Sequence, residues 1–197
     1  MSKHIAVLMG GLSAEREVSL VSGAAVSKAL ENQGVQVTKI DLQRDAGVLL
    51  TRLYPRPDAI FNALHGRYGE DGCVQGLLNI LGVPYTHSGV LASAIAMDKP
   101  MSKRILREVG IKVADHRILT RDELISDTLL SPPYVVKPLN EGSSVGVGIV
   151  YEGEDYKSLE HERHLGSHVM VEEYIDGREL TVAVMGDKAL AVTEINT

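Results

Sequence analysis

The sequence predicts an α/β chain: a first part built on a parallel sheet, then an α+β part with an antiparallel sheet. Three observations carry that prediction. Ile5-Ala6-Val7-Leu8-Met9 is a continuous apolar run ending at Gly10-Gly11 and followed by helical spacing and a second strand, which makes a βαβ unit. Tyr134-Val135-Val136-Lys137-Pro138 delivers a lysine at the end of a β-branched run, just before the Gly/Ser stretch from Glu141 to Gly148. Beyond Val169 come short strands in succession, punctuated by Asp176-Gly177 and Gly186-Asp187-Lys188, the pattern of an antiparallel sheet rather than of βα alternation.

Taken in order, Ser13 reads as the N-cap of the first helix. Val18, Val21, Ala25, Val26, Ala29 and Leu30 supply its apolar stripe, and Gly34 its stop. Val35 to Ile40 is the second strand and Asp58 to Leu64 the third. A short helix through Val74, Leu77, Leu78 and Leu81 ends at Gly82, Val83 to Thr86 is a brief strand, and a helix runs from Val90 to Met97. The character changes at Asp98-Lys99-Pro100, where proline suits the first turn of a helix from Met101 to Val109, so the first domain is expected to cover residues 1–96 and the second 97–197. Ile111 to Leu119 is predicted as a strand, and Thr120-Arg121-Asp122-Glu123 as a capping-type helix start. Val145 to Tyr151 is the next strand and Gly153 to Leu165 a polar helix. Strands follow from Val169, from Leu180 to Met185 and from Ala189 to Ile195, with Asp176-Gly177 as a hairpin turn.

Composition excludes several functions. A net charge of -6 argues against a nucleic-acid surface, so an anionic ligand must be held by a local cluster of lysines and amides. The single Cys73 excludes an internal disulfide and suits a reducing cytoplasm, and the apolar run from Ile5 to Met9 is too short to span a membrane. His161, His164 and His168 lack a carboxylate or cysteine pattern and read as solvated surface histidines.

The loop from Glu141 to Gly148 offers small side chains, exposed backbone N–H groups and the hydroxyls of Ser143 and Ser144, the donors that polyphosphate oxygens need. A Gly-rich hairpin turn fits such a cluster equally well; the lysine preceding it favours phosphate. It is not a Walker loop, because the lysine comes before the glycines. Gly10-Gly11-Leu12-Ser13-Ala14 is not G-x-G-x-x-G, which argues against a dinucleotide site. Glu15 and His65 each follow a strand end and are expected to face one crevice. Their bland alternatives are a first-turn acid complementing the helix dipole and a loop histidine bonded to backbone. Lys99 reads first as a solvated lysine at a helix start. Glu179 shares a strand face with Thr181 and Ala183 while Leu180, Val182 and Val184 pack, so it either points at a ligand or faces solvent.

Several motifs in order resemble one family. Gly10-Gly11 with Ser13-Ala14-Glu15-Arg16-Glu17-Val18-Ser19, His65-Gly66 with Gly69-Glu70-Asp71-Gly72, Val136-Lys137-Pro138 with Glu141 to Gly146, and Glu172 to Glu179 have the order and spacing of the D-alanine–D-alanine ligases of the ATP-grasp superfamily. The resemblance implies a Rossmann-like domain preceding an ATP-grasp domain, here incomplete. It also implies ATP-dependent joining of two D-alanines through a D-alanyl phosphate, in cytoplasmic peptidoglycan synthesis by a homodimer. Lys99 and Lys137 look like the phosphate lysines, with Glu141, Gly142, Ser143 and Ser144 as the loop over the γ-phosphate. Glu172, Glu173, Tyr174, Ile175 and Glu179 match the adenine and ribose contacts. Glu15 resembles the acceptor of the first D-alanine's ammonium and connects to Ser143, the two carried as catalytic; Val18 would meet the methyl group and His65 the carboxylate.

Family members continue for roughly another 100 residues. The resemblance therefore implies that the ligands for Mg²⁺, or Mn²⁺, lie beyond Thr197 and that this chain alone is inactive. A D-alanine–D-lactate type ligase, or a non-catalytic nucleotide-binding fragment, are the alternatives.

Overall fold

The computed structural model describes residues 2–126, 131–142, 144–154 and 166–196. The first sheet is parallel, in the order β2-β1-β3, with β1 at His4–Gly10, β2 at Gln36–Leu42 and β3 at Ala59–Asn62. The central strand β1 is buried on both faces. Ala6 and Leu8 join Ile40, Ile60, Val74 and Leu78 on one side, while Val7 and Met9 meet Leu20, Val26 and Leu30 of the first helix on the other. An uninterrupted apolar run is what a strand covered by helices on both faces requires.

That helix, α1 at Arg16–Asn32, packs through only part of the stripe its apolar residues suggested: Val26 and Leu30 meet β1 while Val18 and Val21 do not. Val18 and Val21 are 57% and 72% exposed, and the buried positions are Ser19, Gly23 and Ser27. Small residues let the helix approach β1 closely: a Cβ added at Gly23 would fall 2.5 Å from the Cβ of Met9. The hydroxyl of Ser19 donates to Ala63 O at 2.7 Å and that of Ser27 to Gly23 O, so neither polar group is buried unsatisfied. Ser13 is not the N-cap either. Glu15 occupies that position with no side-chain cap, and the Ser13 hydroxyl instead donates to His65 O at 2.7 Å, tying the loop after β1 to the loop after β3.

A helix absent from the sequence reading, α2 at Ala46–Arg52, is capped by Asp45, whose carboxylate accepts from Gly47 N at 2.7 Å. Helix α3 spans Cys73–Leu81 and closes on Gly82 in the left-handed region, φ 63°. The expected strand near Val83 is a single bridge between Ile60 and Tyr85. Helix α4 is Val90–Met97; α5, Lys99–Glu108, starts one residue past Asp98, whose carboxylate accepts from Met101 N at 2.9 Å.

The second sheet is antiparallel, in the order β4-β7-β5-β6: His116–Thr120, His168–Glu173, Tyr134–Pro138 and Gly148–Val150. β4 and β6 are shorter than predicted, and residues 111–115 are irregular. Thr120 and Glu123 form a reciprocal capping box at α6, Arg121–Ser126. One face of this sheet holds a core of Val136, Val150, Val169 and Val171 with Leu119 and Leu124; alternation puts Val135, Lys137, Met170, Glu172 and His116 on the other.

The turn at Asp176-Gly177 is not a hairpin. β7 pairs with β4 and β5, whereas β8, Glu179–Met185, pairs among the described residues only with β9, Lys188–Ile195, around Gly186. Leu180, Val182 and Val184 of this two-stranded ribbon are exposed, against the expectation that they pack. The polar helix predicted to Leu165, with His161 and His164, falls mainly outside the described residues.

Candidate active site

The two sheets meet where the loops after β1 and β3 face the segment after β5. Lys99 joins them at the start of α5: its backbone N–H donates to Leu139 O at 3.2 Å, and its Nζ donates to Glu141 O. Burial, and then the neighbouring Lys137, push the Lys99 ammonium below the ordinary lysine range. It is therefore no solvated helix-start lysine.

Lys137, at the end of β5, pairs with Glu172 Oε1, and Lys103, one turn beyond Lys99, pairs with Oε2. The Glu172 side chain is 9% exposed. Burial alone raises a carboxyl's pKa, but here the hydrogen bonds and charges of the two lysines outweigh it and hold Glu172 below the usual range. Both its oxygens are engaged by lysines, a different situation from the free adenine or ribose contact expected of it. Lys103 and Lys137 share the one carboxylate of Glu172, while Lys99 also feels Glu141 and Asp98; the clustered ammonium donors are what polyphosphate oxygens would engage.

Beyond β5 the chain turns twice: Val145 N donates to Gly142 O at 3.2 Å and Val147 N to Ser144 O at 3.1 Å. Ser144 takes φ 57°, a left-handed conformation uncommon for a residue with a Cβ, and Gly146 takes φ 71°. Ser144 is exposed. Ser143 lies outside the described residues.

On the facing side, Glu15 Oε2 is buried and has no hydrogen-bond partner among the described residues. Cβ positions built on Gly66 and on Gly142 would lie 2.7 Å and 3.5 Å from it, so the carboxylate sits between the loop after β3 and the loop after β5. His65 immediately precedes Gly66 in the chain. Its Nε2 is 3.5 Å from Ser22 Oγ, its Nδ1 is 3.9 Å from Glu70 Oε1, and Glu70 Oε2 accepts from Gly66 N at 2.6 Å. His65, Ser22 and Glu70 border a cavity of about 450 Å³ that Asn62 and His87 also help to line. Val18 is exposed on α1.

Asp41, the acid at the end of β2, is held by Arg16 through two bonds of 2.7 and 2.6 Å. Glu173 and Tyr174 donate their backbone N–H groups to Asp115 O and Pro133 O, Ile175 is exposed, and Glu179 lies exposed at the start of β8. The sequence reading missed Lys103 and Glu70. Lys103 stands four residues after Lys99, the spacing that puts both on one helix face, so a signal was available; Glu70 was quoted only as part of its motif.

A parallel-sheet unit followed by an antiparallel sheet, meeting at a lysine-bearing seam, agrees with the ATP-grasp class that the motifs led one to expect. The profile described as "D-ala D-ala ligase C-terminus" matches residues 105–197, and that described as "D-ala D-ala ligase N-terminus" matches residues 50–88. The chain is 55% identical to D-alanine–D-alanine ligase B of Mesorhizobium japonicum, over 98% of its own length and 63% of the relative's. It is 57% identical to a D-alanine–D-alanine ligase of Methylocella silvestris, over 99% of its length and 64% of the relative's. The crystal structure of the Bacillus anthracis D-alanine–D-alanine ligase complexed with ATP superposes with TM-score 0.81 at 36% identity, covering all of this chain and 67% of that one. The chain belongs to the D-alanine–D-alanine ligase family. It spans about 64% of the length of curated relatives. No helix among the described residues is long and apolar enough to cross a membrane.

Proposed function

We propose that this chain supplies the first-substrate site and the nucleotide grip of an ATP-dependent D-alanine–D-alanine ligase. The observation that carries the reading is Glu15 Oε2, buried, without a partner among the described residues and facing Gly142, across a seam from the Lys99 and Lys137 grip. An acceptor so placed suits the ammonium of an amino acid; clustered ammonium donors suit a triphosphate.

In this reading Lys99 and Lys137 neutralise the phosphates, with Gly142, Ser143 and Ser144 at the γ-phosphate. Glu15 takes the ammonium of the first D-alanine, Val18 its methyl group, and His65 lies near its carboxylate. A carboxylate oxygen attacks the γ-phosphorus and ADP departs, giving D-alanyl phosphate. The amine of the second D-alanine then attacks the acyl carbon, and the tetrahedral intermediate expels phosphate and loses a proton. The chain's part is positioning and charge neutralisation.

With the N–H groups of Glu173 and Tyr174 already donated inward, adenine would meet carbonyls of this segment. Glu179 and Ile175 would flank the nucleoside. Mg²⁺ or Mn²⁺ finds no group of three or more His, Cys, Asp or Glu among the described residues, so no step is assigned to a metal. Calorimetry of the chain with ATP is expected to show binding. In an active enzyme containing this chain, D-alanine is expected to stimulate phosphate release from ATP and Glu15→Gln to weaken that dependence. Equal stimulation by L-alanine would overturn the substrate assignment.

A further inference from the structure

We propose that Lys103 is a positioning residue of the nucleotide grip, holding Glu172 so that the ammonium of Lys137 is fixed in place yet keeps an uncancelled charge. The nucleotide part of this proposal rests on the function proposed above. The geometry itself does not.

Strand register puts Glu172 opposite Val135 on β5 and opposite His116 on β4, and Lys137 is two residues along β5 from Val135. Glu172 and Lys137 are thus diagonal neighbours on one sheet face, close enough for a long side chain to span. Left to themselves they would form a one-to-one ion pair of zero net charge, a poor anchor for an anion. Helix α5 changes this by laying Lys103 over the same carboxylate from the other side: Lys137 takes Oε1 and Lys103 takes Oε2.

Lys103 is itself tethered. Its Nζ also donates to Ala114 O at 2.9 Å, in the irregular segment before β4, which uses two of the ammonium's three donors. The carboxylate is therefore held at both oxygens by groups belonging to different elements. The third group facing it is His116, whose ring is pushed below the ordinary histidine range by burial and by Lys103 and Arg107, against the opposing pull of Glu172 and the Ala114 backbone. At neutral pH the face carries two ammoniums and one carboxylate before Lys99 is counted. Glu172 becomes the post on which Lys137 is mounted rather than a group reserved for the nucleoside.

The test pairs a readout that needs no nucleotide with one that does. In protein labelled with ¹³C-glutamate, the carboxyl signal of Glu172 is titrated by NMR in the parent, Lys103→Met and Lys103→Arg. ATP affinity of the same three proteins is measured by calorimetry. Lys103→Met is expected to raise the pH at which Glu172 titrates and to weaken ATP binding about tenfold, the loss of one charge-assisted contact's worth of order. Lys103→Arg keeps a cation and is expected to restore the low titration and most of the affinity, which also answers the case in which Lys103→Met fails to fold. Unmoved Glu172 titration in a folded Lys103→Met protein overturns the proposal, as does ATP affinity within twofold of a parent that binds ATP. A parent that binds no ATP overturns the nucleotide reading instead; the positioning role then stands or falls on the titration alone.

Discussion

Adding one methyl group at Gly23 and the same group at Gly76 is expected to change stability in opposite directions. Both glycines lie inside helices, α1 and α3, where alanine is favoured over glycine by about 1 kcal/mol because it restricts the unfolded chain. At Gly76 an added Cβ meets nothing within 4 Å, so the gain is kept. At Gly23 it would stand 2.5 Å from the Cβ of Met9 and 2.9 Å from its Cε. The Cε of Met9 can swing away, but its Cβ is fixed to the central strand, so the helix itself must lift. Overpacking of that kind costs about 1–3 kcal/mol, and so close an approach belongs at the upper end, leaving Gly23→Ala destabilising by about 1–2 kcal/mol net. For a chain of this size 1 kcal/mol moves Tm by roughly 2–4 °C. Thermal unfolding followed by far-UV circular dichroism should therefore place Gly76→Ala about 2–4 °C above the parent and Gly23→Ala about 2–8 °C below it. Two shifts of the same sign would refute the argument that α1 is seated by its small residues.

Other changes probe the grip and the caps. Lys137→Gln should weaken ATP binding about 10-fold or more in calorimetry, from loss of a charge-assisted hydrogen bond; unchanged affinity would remove Lys137 from the site. Asp45→Ala should lower Tm by roughly 2–4 °C, since losing an N-cap costs about 1 kcal/mol; no shift would mean that α2 does not depend on its cap. The carboxyl of Glu172 lies below its unfolded value, so its stabilising contribution is present above the unfolded pKa and is lost as pH falls through the folded one. The Tm gap between the parent and Glu172→Gln should accordingly be widest near neutrality and shrink on acidification, and a gap that widens in acid would contradict the sign.

Much of this was legible in the order of residues. The apolar run of β1, the left-handed glycine after α3, the Thr120/Glu123 box and the lysine closing β5 are local signals, and each is realised where local chemistry suffices. The misses share a cause. Val18 and Val21 look like a core stripe, yet α1 turns its serines and glycine inward, because β1 lies too close for larger side chains. Asp176-Gly177 has the dipeptide of a hairpin, but β7 already pairs with β4 and β5, so the chain leaves the sheet there. Turn chemistry specifies a bend; which strands flank it depends on partners distant in sequence.

By itself, the sequence determined the α/β and antiparallel composition of the two parts, the family and the lysine that closes β5. Each of these follows from patterns within a few residues of one another, where period, turn residues and motif spacing act directly. Tertiary structure alone decided that Glu15 Oε2 lies at the seam without a donor among the described residues, that Lys99 is tied to Leu139 and Glu141, and that Glu172 is shared between Lys103 and Lys137. Lys103 and Glu172 stand 69 positions apart in the chain, and the burial and pairing that shift Lys99 and Glu172 exist only once the sheets and α5 have closed around them.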